Sequence, residues 1–178
     1  MRTARLANQL LALARAEALA RSPDARLGAN LRAVVEESAD EWVRSALQRD
    51  IDLGFDLEEV AVAGDAFLLR EALANLVHNA LEYTPPGGRV TVRAARRGVN
   101  GADGAVLEVE DDGPGIAPAE RGRVLERFYR APGTGGTGSG LGLSIVREIA
   151  AAHGAEIAIG EGEGGRGCRV TLQFAGVN

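Results

Sequence analysis

A glycine- and proline-rich stretch, residues 113–140, places the strongest constraint on this chain. It reads GPGIAPAERGRVLERFYRAPGTGGTGSG and lies between two segments with clear apolar patterning. Connections in compact domains rarely exceed about 12–15 residues without structure of their own, and those that do are usually functional. The stretch predicts only a short helix near its middle. The elements on either side must therefore build a core without it, and it lies over that scaffold as a candidate lid. A length of 178 residues suits one domain of roughly 100 to 150 residues with an appendage.

Residues 2–21 are rich in Ala, Leu and Arg, with Leu6, Leu10 and Leu13 on one side of a helix that Ser22, Pro23 and Asp24 stop. This helix either packs on its own domain or is half of a dimerising hairpin. A second helix is expected over residues 31–49, with Val34, Val35, Ala39, Trp42, Val43 and Leu47 as its apolar stripe. Short strands follow at 51–57 and 60–63. Asp65 is a suitable N-cap for a helix reaching Tyr83, which Pro85, Pro86, Gly87 and Gly88 end with a turn. Residues 90–95 and 105–109 read as neighbouring strands joined by a hairpin loop at 97–104. A helix over 141–152 and strands at 156–159 and 168–174 complete the chain. This order predicts an α/β fold with a mixed sheet and helices on one face.

All 20 basic residues are arginine; the chain contains no lysine. That removes P-loop enzymes, eukaryotic-type protein kinases and Schiff-base chemistry, each of which requires a lysine. A single cysteine, Cys168, cannot form an internal disulfide. Net charge is -5 with acids and bases interleaved, so neither a nucleic-acid footprint nor a polybasic membrane patch is expected. No apolar run approaches the roughly 18 residues a spanning helix needs. The expectation is a soluble, cytoplasmic fragment with no membrane contact of its own.

Three features carry chemistry. On the helix ending at Tyr83, Leu69, Leu73, Leu76, Val77 and Ala80 form one face, and Glu71, Asn75, Asn79 and Glu82 another. Asn is a mediocre helix former, so two of them one turn apart offer oxygens to a hard cation or donors to a phosphate, unless they are only a solvated face. Asp111, Gly113, Gly115 and Ile116 follow a strand. A carboxylate there can accept from a ligand amine while glycines allow close backbone approach, although a plain turn would read the same. Gly138, Ser139, Gly140, Leu141, Gly142 and Leu143 open a helix whose N-terminal amides suit a phosphate. A dinucleotide fold is disfavoured, because its fingerprint belongs after an early strand.

In this order the features resemble the histidine-kinase branch of the gyrase, heat-shock chaperone, histidine kinase and mismatch-repair ATPase superfamily. The matching strings are residues 75–85 (NLVHNALEYTP), 109–116 (VEDDGPGI), 125–130 (LERFYR) and 138–146 (GSGLGLSIV). The resemblance implies the Bergerat fold, a two-layer α/β sandwich with a mixed, mostly antiparallel sheet, helices on one face and a long ATP lid. It divides the chain into residues 27–178, a catalytic ATP-binding domain, and residues 1–22, a partial second helix of the dimerisation and histidine-phosphotransfer hairpin without its acceptor helix.

The same resemblance implies that Asn79 holds Mg²⁺ and that Asn75 helps place the phosphates of ATP. Asp111 would bond the adenine amino group in a pocket shaped by Gly113, Gly115 and Ile116. Tyr83 would lie against the nucleotide and Arg130 would reach the phosphates, with Tyr129 nearby. Gly138, Ser139, Gly140, Leu141, Gly142 and Leu143 would bind phosphate at the lid hinge, and Phe128 would anchor the lid on the core. The implied partners are ATP, the acceptor-histidine helix of a homodimeric parent and a response regulator.

Hydrolases and serine kinases of the superfamily carry a glutamate where this chain has Asn75. An amide cannot deprotonate water or serine, whereas a histidine nucleophile needs little base catalysis. Transfer to histidine is therefore expected over hydrolysis. Neither His78 nor His153 has an acceptor's flanking residues, so the chain alone is expected to bind Mg-ATP without phosphorylating itself. Two departures from the pattern stand out. Glu82 replaces a basic residue and must face solvent or meet an arginine, and Leu125 replaces an aromatic. Glu82 keeps open the alternative of a non-catalytic ATP-binding switch.

Overall fold

The computed structural model describes residues 2–21, 28–98, 103–131 and 140–175. Five strands form one sheet in the order β2 (Asp52–Leu57), β4 (Arg89–Arg96), β5 (Gly104–Asp111), β7 (Cys168–Ala175), β6 (Glu156–Gly160). Only β2 and β4 run parallel; the other three pairings are antiparallel. The fold is α/β with the mixed, mostly antiparallel sheet that was expected. Two three-residue strands, β3 (Ala61–Ala63), expected at 60–63, and β1 (Gly28–Asn30), too short to leave a sequence pattern, pair separately.

Alternation decides which face of the sheet is covered. Val90, Val92 and Ala94 of β4, Leu107 and Val109 of β5, and Val170 and Leu172 of β7 are buried against the helices. Register gathers the opposite side chains into an ionic layer, with Arg93 opposite Glu108, Glu108 opposite Thr171 and Glu110 opposite Arg169. Arg93 Nη1 lies 2.6 Å from Glu110 and 3.1 Å from Glu108; Arg169 Nε lies 3.0 Å from Glu110, and Thr171 Oγ1 donates to Glu108 at 2.8 Å. Burial pushes the Glu110 carboxyl up, but Arg169, the Glu163 backbone N–H and Arg93 together hold it below its usual range.

Three helices cover the other face and a fourth packs over them. In α2 (Leu31–Leu47), capped by the Asn30 side chain, Leu31, Val34, Val35, Trp42 and Ala46 are buried. Val43 and Leu47, expected in this stripe, lie at its exposed edge because the helix ends at Leu47 and the chain turns through Asp50 at φ +57°. In α3 (Ala66–Tyr83) the buried residues include Leu69, Leu73, Leu76, Val77 and Ala80. α4 (Gly142–Ala152) packs beside it, and α1 (Arg2–Arg21) lies on α4 and α3. Among the described residues the buried seam of α1 is Gln9, Ala12, Ala16 and Leu19; of the expected leucine stripe Leu13 is partly covered, and the side chains of Leu6 and Leu10 lie outside the described residues.

Three helices meet at Asp65. Its Oδ1 caps α3 by accepting from the N–H groups of Phe67 and Leu68 at 2.9 and 3.2 Å, and its Oδ2 pairs with Arg15 of α1 at 2.7 Å. Its own N–H donates to Nε2 of His153 at 3.0 Å. That nitrogen must therefore be the acceptor, so the proton sits on Nδ1, which donates to the Ile149 carbonyl at 2.7 Å. His153 is thus a buried, neutral ring joining α4 to the cap of α3. Replacing it, His153→Ala, should cost about 1–3 kcal/mol by leaving the Asp65 N–H without its partner. Urea unfolding should show a lower midpoint at an unchanged slope; a midpoint equal to that of the parent chain would refute this role.

Candidate functional site

The two asparagines lie one turn apart on α3 and face the start of α4. A Cβ built on Gly142 would lie 3.4 Å from Asn75 Oδ1 and 3.5 Å from each polar atom of Asn79. α4 opens there with Leu141 as its N-cap, no side-chain cap and no acidic residue in its first turn. Its first intrahelical bond runs from the Ile145 N–H to the Leu141 carbonyl. An uncapped helix start beside two amides is an anion-binding arrangement. Leu141 and Leu143 pack on the core, which fixes its direction.

Asn75 was expected on the polar face of α3, yet it is only 4% exposed. Its Nδ2 donates to the Glu71 carbonyl at 2.8 Å, and its Oδ1 accepts from Gln9 Nε2 of α1 at 3.1 Å. Asn79 is half-buried and His78, its neighbour, is exposed. Among the described residues no group of three or more His, Cys, Asp or Glu could hold a metal ion. The amide oxygens of Asn75 and Asn79 are neutral donors of the kind that suits a hard ion keeping most of its ligands from phosphate and water.

A second cluster lies where α3 ends over the sheet. Asp111, the last residue of β5, accepts at Oδ1 from the N–H groups of Gly113 and Cys168 at 3.0 and 3.3 Å. Burial pushes its carboxyl up to about 6, against the lowering effect of those two bonds. A side chain at Gly113 would meet the Tyr83 carbonyl at 3.0 Å, and one at Gly115, where φ is +75°, would meet the Gly167 carbonyl at 2.6 Å. Gly167, at φ +70°, packs its Cα against the Asp111 carbonyl, where no Cβ could fit. Ile116 packs against the core, and Tyr83 is 37% exposed.

The intervening loop forms two short 3-10 helices, Pro118–Glu120 and Arg123–Leu125. Tyr129 donates to Glu120 and stacks under the Arg123 guanidinium, 4.4 Å from the ring centroid. Arg130 is exposed. Phe128, expected as the anchor of the loop, is 72% exposed. Its backbone holds instead: φ is +64° and its N–H donates to the Gly140 carbonyl at 3.0 Å. Gly138 and Ser139 lie outside the described residues. The unfavourable Glu82 is answered by Arg49, whose Nη2 lies 3.1 Å from it while Nη1 donates to the Leu81 carbonyl. Leu125, in place of an aromatic, remains half-buried.

The sequence-predicted residues thus fall into two groups on one helix. Asn75, Asn79 and Gly142 form an end suited to an anion; Asp111, Gly113, Gly115 and Tyr83 form an end suited to a hydrogen-bond donor. Sequence reasoning missed Gln9, Gly167 and Cys168. Gly167 could have been found from the glycine cluster before the last strand, whereas Gln9 left no signal in a helix dominated by leucine and arginine.

Comparison with known proteins bears on this arrangement. A family model described as histidine kinase-, DNA gyrase B-, and HSP90-like ATPase matches residues 64–176. Sensor protein kinase PmrB of Pseudomonas aeruginosa is 43% identical over 80% of this chain and 29% of its own length. Sensor protein QseC of Salmonella typhi is 39% identical over 92% of this chain and 35% of its own. The chain therefore spans about a third of such relatives. Among solved structures, the mycobacterial sensor histidine kinase MprB is 32% identical, with a TM-score of 0.72 over 85% of this chain and 97% of that one. Full-length ShkA, solved in complex with AMPPNP, is 26% identical, with a TM-score of 0.71 over 96% of this chain and 37% of that one.

The environment of Asp111 makes a prediction with opposite signs for stability and binding. Its folded-state pKa of about 6 lies above the ordinary 3.8, so the folded chain binds more protons between those values and this group's contribution to stability falls as pH rises through them. Asp111→Asn keeps an oxygen for the Gly113 and Cys168 N–H groups but removes the buried charge. At pH 7.5 it should raise stability by about 1–3 kcal/mol. In the parent chain, affinity for a ligand that donates to Asp111 should fall below pH 6. A lower melting temperature for the variant at pH 7.5 would contradict the assignment.

Proposed function

The chain belongs to the family of histidine kinase-, DNA gyrase B- and HSP90-like ATPases, and from that membership we propose that it holds Mg-ATP and presents the γ-phosphate to a histidine on a separate helix, as the catalytic part of a sensor histidine kinase. The observation that carries this reading is the pairing of opposite chemistries along α3: the uncapped start of α4 beside Asn75 and Asn79 at one end, and the half-buried carboxylate of Asp111 at the other. A triphosphate and an adenine amino group call for these two ends.

In this reading Asp111 accepts from the adenine amino group while Gly113 and Gly115 let the backbone approach the ring. Tyr83 flanks the nucleotide, and Ile116 borders the pocket. The first-turn amides of α4, from Gly142 and Leu143, bind phosphate with the glycines and Ser139 before them. Asn79 holds Mg²⁺ by its amide oxygen, and the ion, when bound, neutralises phosphate charge and fixes its orientation. Arg130 reaches the phosphates, with Tyr129 beside it. The chain supplies position and charge stabilisation but no base. The acceptor nitrogen's lone pair forms the P–N bond as the bond to the ADP oxygen breaks; ADP leaves with that electron pair, and the other imidazole N–H loses its proton to solvent.

Neither histidine of the chain suits the acceptor role: both ring nitrogens of His153 are engaged inside the fold, and His78 shares α3 with Asn79, roughly 100° around the helix. The acceptor belongs to a helix of a homodimeric, membrane-anchored parent, and α1 is read as a helix of that hairpin. A response-regulator aspartate is the final recipient. Among the described residues no helix is long and apolar enough to cross a membrane. The alternative of a non-catalytic switch rested on Glu82, and its pairing with Arg49 removes the charge conflict that favoured it.

Calorimetry should detect Mg-ATP binding to the chain, its loss in Asp111→Asn, and about tenfold or greater weakening in Asn79→Ala with the Mg²⁺ dependence abolished. Adding an acceptor-helix protein from a related sensor kinase should yield phosphohistidine on that protein and none on this chain. Phosphohistidine on the isolated chain, or no binding of ATP, would overturn the reading.

A further inference from the structure

We propose that α1 is a latch on the nucleotide site, with the Gln9 side chain standing where Asn75 must be reached. The inference rests on the Mg-ATP reading above and concerns how that same site is regulated. A polyphosphate or its cation can engage Asn75 only if the side chain is accessible, yet Asn75 is 4% exposed and Gln9, which covers it, is 5% exposed. Both polar ends of the Asn75 amide are already engaged, Oδ1 by Gln9 Nε2 and Nδ2 by the Glu71 carbonyl. Gly142, at the start of α4, also faces Asn75 but has no side chain to move aside. The removable cover is therefore the amide of Gln9.

The way α1 is held suits an element that comes off. Among the described residues its buried seam is Gln9, Ala12, Ala16 and Leu19, with Leu13 partly covered, so a polar amide sits in the seam where it meets Asn75. A clamp one and a half turns further on, Arg15 to Asp65 Oδ2 at 2.7 Å with the guanidinium 4.9 Å over the Phe67 ring, is an exposed ion pair that screening weakens. α1 docked with Asn75 covered, and α1 released with Asn75 open, are two discrete states. Mg-ATP binds the second better, so nucleotide and α1 docking oppose each other by the same factor in both directions. Any event that draws α1 away, such as its pairing with another helix of the parent, opens the site.

The full chain, Gln9→Ala and Arg15→Ala should be titrated with Mg-ATP by calorimetry, with amide hydrogen exchange of α1 followed with and without nucleotide. Gln9→Ala removes the cover and Arg15→Ala weakens the clamp away from Asn75; the first should bind about tenfold tighter than the parent chain, the worth of one buried hydrogen bond, and the second about two- to fivefold tighter, the worth of an exposed ion pair. In the parent chain Mg-ATP should speed exchange along α1. Binding by the variants alone would be the same result in its extreme form. Equal affinities, or weaker binding by Gln9→Ala, would overturn the latch and leave the Mg-ATP reading intact, the weaker case making Gln9 a group that positions Asn75. No binding by any of the three would overturn both.

Discussion

Asp65 is the joint on which the rest of the molecule turns. A single carboxylate and its own N–H engage three helices: the first turn of α3, Arg15 of α1 and the neutral ring of His153 in α4. Capping and interhelical docking are usually separate tasks. Combining them here sets the rotation and height of α3 relative to α4, and those determine whether Asn75 and Asn79 face the start of α4 or miss it. The 2.7 Å between a hypothetical Gly64 Cβ and the His153 ring shows how closely the two elements meet at this joint.

The sheet makes a complementary contribution. Its outer face is held by arginine–glutamate contacts across three strands, so the strands keep their register without a second layer of helices. Register then delivers Asp111 opposite Cys168 at the sheet's end, and the last turn of α3 crosses just above, at Tyr83. One helix therefore spans both ends of the site. The anion end and the donor end cannot move independently, which favours a ligand of fixed length.

Much of this was legible in the chain. Apolar periodicity placed α3 and its buried face, alternation placed β4, β5 and β7, and the order of asparagines, DxGxG and GxGxG pointed to both ends of the candidate site. What escaped notice was encoded in pairs distant in sequence. Arg49 answers Glu82, Gln9 answers Asn75, and His153 answers the N–H of Asp65; none leaves a trace in local spacing. The alanines of the α1 seam, Ala12 and Ala16, escaped for a different reason: hydrophobic patterning weights leucines. Phe128 is the opposite case, an aromatic that pattern reading sends inward but whose left-handed backbone, bonded to Gly140, carries it out.

Gly115 and Gly167 meet backbone to backbone, and Gly167 in turn rests on the Asp111 carbonyl. That part of the pocket floor is peptide rather than side chain, which places it beyond the reach of ordinary substitution. A change at either position displaces main chain carrying Asp111 instead of reshaping a surface. Descendants of such a chain could diverge in the loop, in α1 or in the ionic face while this floor stayed the same. On the Mg-ATP reading proposed above, altered preference for the base would have to arise at the pocket's rim, from residues such as Tyr83 and Ile116, whose side chains can vary without moving the backbone beneath them.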